Sequence, residues 1–322
     1  GAGSVNTVER SIGSYIKGDG TGVHTITTGN SKDVVLSSVD NSLILSNAGV
    51  LSVAVGVGGT TGVGGSMGAS VIVNVVNNSV TSNISGVDVV SAGKVDLDAE
   101  SNSTIWALAI AGSVGVGVGK APGENGGGST GTGVGVAISG AVTVNVVDNN
   151  TSSYIDNSNI SSLNAGDVTL DAVDNATIMA DAGGISLAVG SGGNTGFGLA
   201  IGGSVAVNVV INETLATISN SNIGTDDEPV GAIMLNADAA STIWALTFAG
   251  SLSVGYGKNR FGGAVGGAVA GSVNVVRNTI DAHISDSSTV KSAGALSLSA
   301  KDSTGIIANA VGASVSVGAG SQ

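Results

Sequence analysis

The stretch VNVVDNNTSSYI, Val144 to Ile155, decides how this chain is read. It returns as VNVVNNSVTSNI from Val73, VNVVINETLATI from Val207 and VNVVRNTIDAHI from Val273, with a weaker copy, VNTVERSIGSYI, from Val5. The anchoring asparagines Asn6, Asn74, Asn145, Asn208 and Asn274 are spaced by 68, 71, 63 and 66 residues. Four residues on, a second asparagine recurs at Asn78, Asn149, Asn212 and Asn278, with Arg10 in its place in the first copy. Self-similarity at a near-fixed period marks a repeat architecture. Five units of about 65 residues, approximately 1–67, 68–138, 139–201, 202–267 and 268–322, fill the chain as one array and leave nothing for a separate domain.

Each unit has the same internal order. A short strand, KVDLDA from Lys94, is matched by DVTLDA from Asp167, AIMLNA from Ala232 and ALSLSA from Ala295. A long alternating run follows, such as IWALAIAGSVGVGVG from Ile105, then a loop, then a second run such as GVGVAISGAVTVNVV from Gly133 back to the anchor. Alternation of period two is the mark of a strand, and no stretch carries a helical period. The loop is where units differ most: KAPGENGGGSTGTG follows Gly119, but only SGGNTG follows Gly190 and KNRFGG follows Gly257. Pro122 and Pro229 both fall in loops, as strand ladders require.

An all-β repeat with equivalent residues stacked unit over unit is a β-solenoid. Val, Ile and Leu at alternate positions then provide an inward column, and equivalent asparagines can hydrogen-bond up the stack as a ladder. Asn74, Asn145, Asn208 and Asn274 are the candidates for that ladder; the competing account is that asparagine tolerates a tight turn. The unit could be three coils of roughly 22 residues, one wide coil with strands of about 15, or an antiparallel hairpin of the two long runs; three coils is the preferred expectation. At about 4.8 Å per stacked strand, fifteen coils make a rod of about 70 Å and five wide coils only about 24 Å.

The pattern in GASVIVNVVNN (Gly68 to Asn78), SAGKVDLDA (Ser91 to Ala99) and STIWALAIAG (Ser103 to Gly112) resembles the β-strand repeats of giant bacterial surface and secreted proteins. Filamentous-haemagglutinin-type adhesins and the repeat regions of large secreted toxins are among these. The resemblance runs over essentially the whole chain and implies a right-handed parallel β-helix, exported from a bacterium and used as a stalk or adhesive fibre. No site residue carries over from it.

Composition excludes other classes. Glycine accounts for 54 of 322 residues, about 17% against a usual level of about 7%, yet without a three-residue period or much proline, so collagen is excluded. A chain 42% hydrophobic should fold. Ten Lys and Arg against 23 Asp and Glu, net charge −13, speak against nucleic acid as a partner. No Cys means no disulfide or thiolate metal site. The uncharged stretch from Asp181 to Glu213 alternates, so it reads as strand and no membrane span is expected; two Trp, three Tyr and three Phe cannot build the aromatic girdles of a membrane barrel. The chain opens on GAGSVNTVER and closes within repetitive sequence, as a segment of something longer would.

Chemistry-bearing residues are few. His24 and His283 lie in unrelated contexts without a triad or metal signature, and GVGVGKAPGE (Gly115 to Glu124) lacks the phosphate-loop pattern. No resident cofactor is expected. Calcium would suit the acidic balance, with Asp96, Asp98 and Glu100 or the turn Asp226, Asp227, Glu228 as donors. The calcium-binding repeat and EF-hand patterns are absent, so a solvated acidic face is the expected role and Asp226–Glu228 the best single place for a weakly held ion.

In the long runs Gly, Ala and Ser stand between the valines, as at Gly115, Gly117 and Gly119. That small-residue face is expected to pack closely against another sheet, of a neighbouring chain or of the same unit. The reading is a non-catalytic structural or adhesive segment of an extracellular bacterial fibre, associating with itself or with neighbouring repeats, its receptor unknown. A polysaccharide-active β-helix, lyase or hydrolase, is the alternative; Asp or Glu converging with Arg or Lys in one cleft would favour it.

Overall fold

Period-two alternation carried over 25 consecutive residues admits one backbone solution, a long extended strand, and the molecule is built from these. The computed structural model describes residues 1–20, 24–29, 31–120 and 130–321. Sheet A contains β1 (Ala2–Lys17), β4 (Thr61–Ser85), β7 (Thr132–Asp156), β10 (Thr195–Ser219) and β13 (Phe261–Ser285). Sheet B is a narrow wall of β2 (Thr25–Thr27), β5 (Asp88–Ser91), β8 (Asn159–Ser162), β11 (Asn222–Ile223) and β14 (Thr289–Val290). Sheet C contains β3 (Val34–Gly58), β6 (Val95–Gly119), β9 (Val168–Gly192), β12 (Ile233–Gly257) and the pair β15 (Leu296–Asp302) and β16 (Gly305–Gly320). Every pairing is parallel.

The chain passes from A to B to C and back to A once per unit, making a β-solenoid. The expected three coils per unit are therefore replaced by one wide coil. The short strand KVDLDA does not end as a separate element: it runs on through Glu100–Thr104 into the long run as a single β6. Alternation survives that polar segment, with Ser101 and Ser103 buried and Asn102 facing out. Five coils at about 4.8 Å stack to about 24 Å, while 25 residues at about 3.3 Å make walls about 80 Å long. The array is a plate, not a rod. The two long runs of a unit face each other as opposite walls and are not hydrogen-bonded as a hairpin.

The corner between sheets A and B is set by backbone handedness. Gly86, Asn157, Asn220 and Asp286 occupy it in successive coils with φ of 69°, 46°, 48° and 52°. Glycine, asparagine and aspartate are the residues that enter this region at least cost. A serine stair accompanies it: Ser158 Oγ accepts from Val87 N, Ser221 Oγ from Ser158 N and Ser288 Oγ from Ser221 N, at 3.3, 3.1 and 3.2 Å.

The interior is a wedge. Beside sheet B it holds Ile84, Leu97, Ile155, Leu170, Ile218 and their neighbours. Midway along the walls it holds Val76, Ile105, Val147, Ile178 and Val210. Further along the buried apolar residues are alanines with Ile72, then the trio Ala137, Ala188 and Ala200, and serines such as Ser70, Ser113 and Ser186 are buried among them. At the thin edge the inward residues are glycines, and the walls meet backbone to backbone. A Cβ on Gly115, Gly117 or Gly119 would lie 1.9, 1.9 or 2.1 Å from the carbonyl oxygen of Val136, Val134 or Thr132 on the opposite wall.

This settles which sheet the small-residue face meets: another wall of the same unit. It also corrects the assignment of the inward column in the long runs. There the glycines point in, and Val114, Val116 and Val118 point out. Inward side-chain volume falls from sheet B toward the thin edge on both walls, because the space between the walls falls.

Candidate functional site

The interior belt between the wedge's two halves is polar. Asn6 Nδ2 donates to Asn74 Oδ1, Asn74 to Asn145, Asn145 to Asn208 and Asn208 to Asn274, each at 2.8 Å. Asn74, Asn145 and Asn208 are completely buried. The repeat anchor is thus one unbroken amide column through all five coils. A primary amide donates and accepts along the same axis, and a stack of identical registers brings each donor to the next acceptor.

Sheet C answers the second asparagine column with carboxylates. Asp40, Ser101, Asp174, Ala239 and Asp302 form one inward row. Asp40 accepts from Asn78 Nδ2 at 2.7 Å, Ser42 Oγ at 2.7 Å and Arg10 Nη1 at 2.8 Å. In the first coil Arg10 stands in the place of the second asparagine and pairs with the buried Asp40. Asp174 has no solvent exposure and accepts from Thr151 Oγ1 at 3.1 Å and from Asn212 Nδ2. Burial dominates over these hydrogen bonds and pushes its carboxyl up to about 6.

Outside, Asp96, Asp98 and Glu100 face outward from sheet C, as their spacing requires. Asp98 and Asp171 are register neighbours, and Asn236 and Ser299 continue their row. Burial first, then the charges of Asp171, Glu100 and Asp96, raise the Asp98 pKa. Asp171 is raised by burial too, against a lowering hydrogen bond with Asn236.

Sheet B carries a groove of about 450 Å³ lined by Asp88, Asn159, Asn222, Asp226, Thr289 and Lys291, among others. A second amide ladder crosses it: Asn222 Nδ2 donates to Asn159 Oδ1 at 2.8 Å, and Asn159 Nδ2 to Asp88 Oδ1 at 2.6 Å. The acidic turn borders this groove. Asp226 pairs with Lys291 at 2.7 Å, and Thr225 and Glu228 close the turn through two hydrogen bonds. Among the described residues no three His, Asp or Glu side chains gather as metal ligands would. His24 lies 2.7 Å from Asp19 and His283 2.9 Å from Asp281, in separate parts of the fold. The long insertion after Gly119 and Pro122 within it fall largely outside the described residues.

No family model matches the chain, and no curated protein or solved structure matches it either.

Two features escape the reading of the repeats alone. The inward row of Asp40, Asp174 and Asp302 is legible only by counting: Val168, Leu170 and Ala172 alternate inward, and the next inward position is Asp174. The corner shows as the recurring NSNI of Asn157–Ile160 and Asn220–Ile223, one residue past each long strand.

Proposed function

We propose that this chain is a structural or adhesive segment of an extracellular bacterial fibre or stalk, without catalysis, of the kind its repeats resemble. The observation that carries the reading is the continuous register. One buried amide column and two 25-residue walls tie each coil to the next, so a pull along the stack is shared over a whole coil at once. Receptor contact falls to the variable loops or to regions outside these 322 residues. Stretching single molecules along the stack tests it. Coils should release one at a time, each adding about 65 residues, or on the order of 230 Å of extended chain. Collapse of the whole array in one low-force step would refute a mechanical role.

The polysaccharide-active alternative has one place to stand, the sheet B groove with Asp88, Asp226 and Lys291. Its acid and base there are already paired in an exposed salt bridge, which supports the non-catalytic reading. Cleavage of any polysaccharide by the purified chain, lost in Asp226→Asn, would reverse that preference.

A further inference from the structure

The outer faces of the thin half of the wedge are apolar, which is where the valines displaced by the inward glycines have gone. On sheet C the face runs from the row of Trp106, Met179 and Trp244 to the thin edge. The chain's two tryptophans both stand on it, 49% and 52% exposed. Among the described residues its only charged one is Asp181, whereas the carboxylates of Asp96, Asp98, Glu100 and Asp171 occupy the other half of the same wall.

Three observations say what covers it. The face spans about 12 residues at about 3.3 Å and five strands at about 4.8 Å, on the order of 950 Å², close to the roughly 800 Å² per partner of a standard interface. It is levelled by complementary rows: the Phe248 ring lies where a Cβ on Gly183 would stand, 2.3 Å from its carbons, and Leu51 lies against Gly112. A flat strand-sided surface of this kind packs on another such sheet. Beside Gly112 there remains a hollow of about 400 Å³ lined by Leu51, Ile110, Val114, Ile185 and Leu187. Knob and hollow therefore sit on the same face, which is the condition for a twofold contact in which each copy supplies both. The chain's net charge of −13 offers an anionic lipid surface no attraction.

We infer that this face of sheet C is a self-association surface on which a second copy docks face to face, a tryptophan of each copy seating in the hollow beside Gly112 of the other. The glycine face itself is consumed inside each coil, so lateral association runs through the valine side instead. The inference does not depend on the mechanical reading, which single-molecule stretching judges separately.

Sedimentation velocity on the 322-residue chain over a concentration series, with tryptophan emission recorded in parallel, tests it. A concentration-dependent dimer is expected, with emission moving to the blue and acrylamide quenching falling as it forms. The double variant Trp106→Lys, Trp244→Lys should weaken association at least tenfold with an unchanged circular dichroism spectrum. Val269→Lys, on the outer face of sheet A, should leave association as it was. A chain monomeric at every soluble concentration overturns the inference. So does association lost in Val269→Lys but kept in the tryptophan variant, or emission that shifts only with phosphatidylcholine vesicles, which would make a membrane the occupant.

Discussion

Replacing Asp174 by asparagine should stabilise the array more at neutral pH than at acid pH, relative to the native chain. The carboxyl is raised from 3.8 to about 6 by burial. A group whose folded pKa lies above its unfolded one binds more protons in the folded state between those two values. Stability therefore falls as pH rises from 3.8 to about 6 and is flat on either side. With the carboxyl at about 6 in place of 3.8, and about 1.36 kcal/mol for each pH step between the two, about 3 kcal/mol is lost by pH 7 through this one group. The amide that Asp174→Asn introduces keeps the shape and cannot ionise. The stability difference between variant and native chain should thus grow by about 3 kcal/mol between about pH 3.5 and pH 7. Urea denaturation of both chains across this range measures it. Asp174→Ser, which copies Ser101 in the neighbouring coil, provides a second variant with the same expected pH dependence. A difference that stays constant with pH, or shrinks as pH rises, would refute the assignment of a buried, destabilised acid.

Gly117→Ala forces a Cβ to within 1.9 Å of Val134 O and should cost about 1–3 kcal/mol in denaturant unfolding, the usual range for overpacking. Gly140→Ala, with no atom within 4 Å of the added carbon, should be neutral or gain up to about 1 kcal/mol. Asn145→Ala leaves one buried donor and one buried acceptor unpaired, at about 1–3 kcal/mol each, so unfolding should come about 2–6 kcal/mol more easily. Asn102→Ala, in the outward ladder to Asn41 and Asn175, should cost at most about 1 kcal/mol in the same assay, because water replaces its partners. Lys291→Met, which removes the exposed pair with Asp226, should shift stability by less than about 1 kcal/mol.

Strand content, repeat phase and the vertical register are legible in the sequence because they depend only on period and spacing. The anchor asparagines fall opposite one another because the copies are equally long between turns, and Asp98, Asp171, Asn236 and Ser299 share a row for the same reason. The number of coils per unit is not legible. Glu100–Thr104 looks like a break because it is polar, yet Ser101 and Ser103 are inward residues inside a polar belt that only the opposite wall explains. The facing of the long runs is hidden for a related reason. Hydrophobicity marks the inside only when the walls stand a side chain apart, and at Gly115–Gly119 they do not. Asp174 escapes notice because a lone acid is expected outside, although its parity with Leu170 places it within.

The amide column also has a consequence for how the chain comes to be folded. Its links join residues 63 to 71 positions apart, and the strands they sit on pair at similar separations. No long strand has a hydrogen-bonding partner until a further circuit of chain has been made or delivered. Two complete coils are therefore the smallest nucleus, and topologies dominated by such distant pairings fold slowly. After that each new circuit closes a loop of nearly constant length onto a finished edge, so growth is directional and each step costs about the same. A chain emerging end first through a narrow exit would meet these requirements in order, one circuit at a time, and the finished edge would keep it from slipping back.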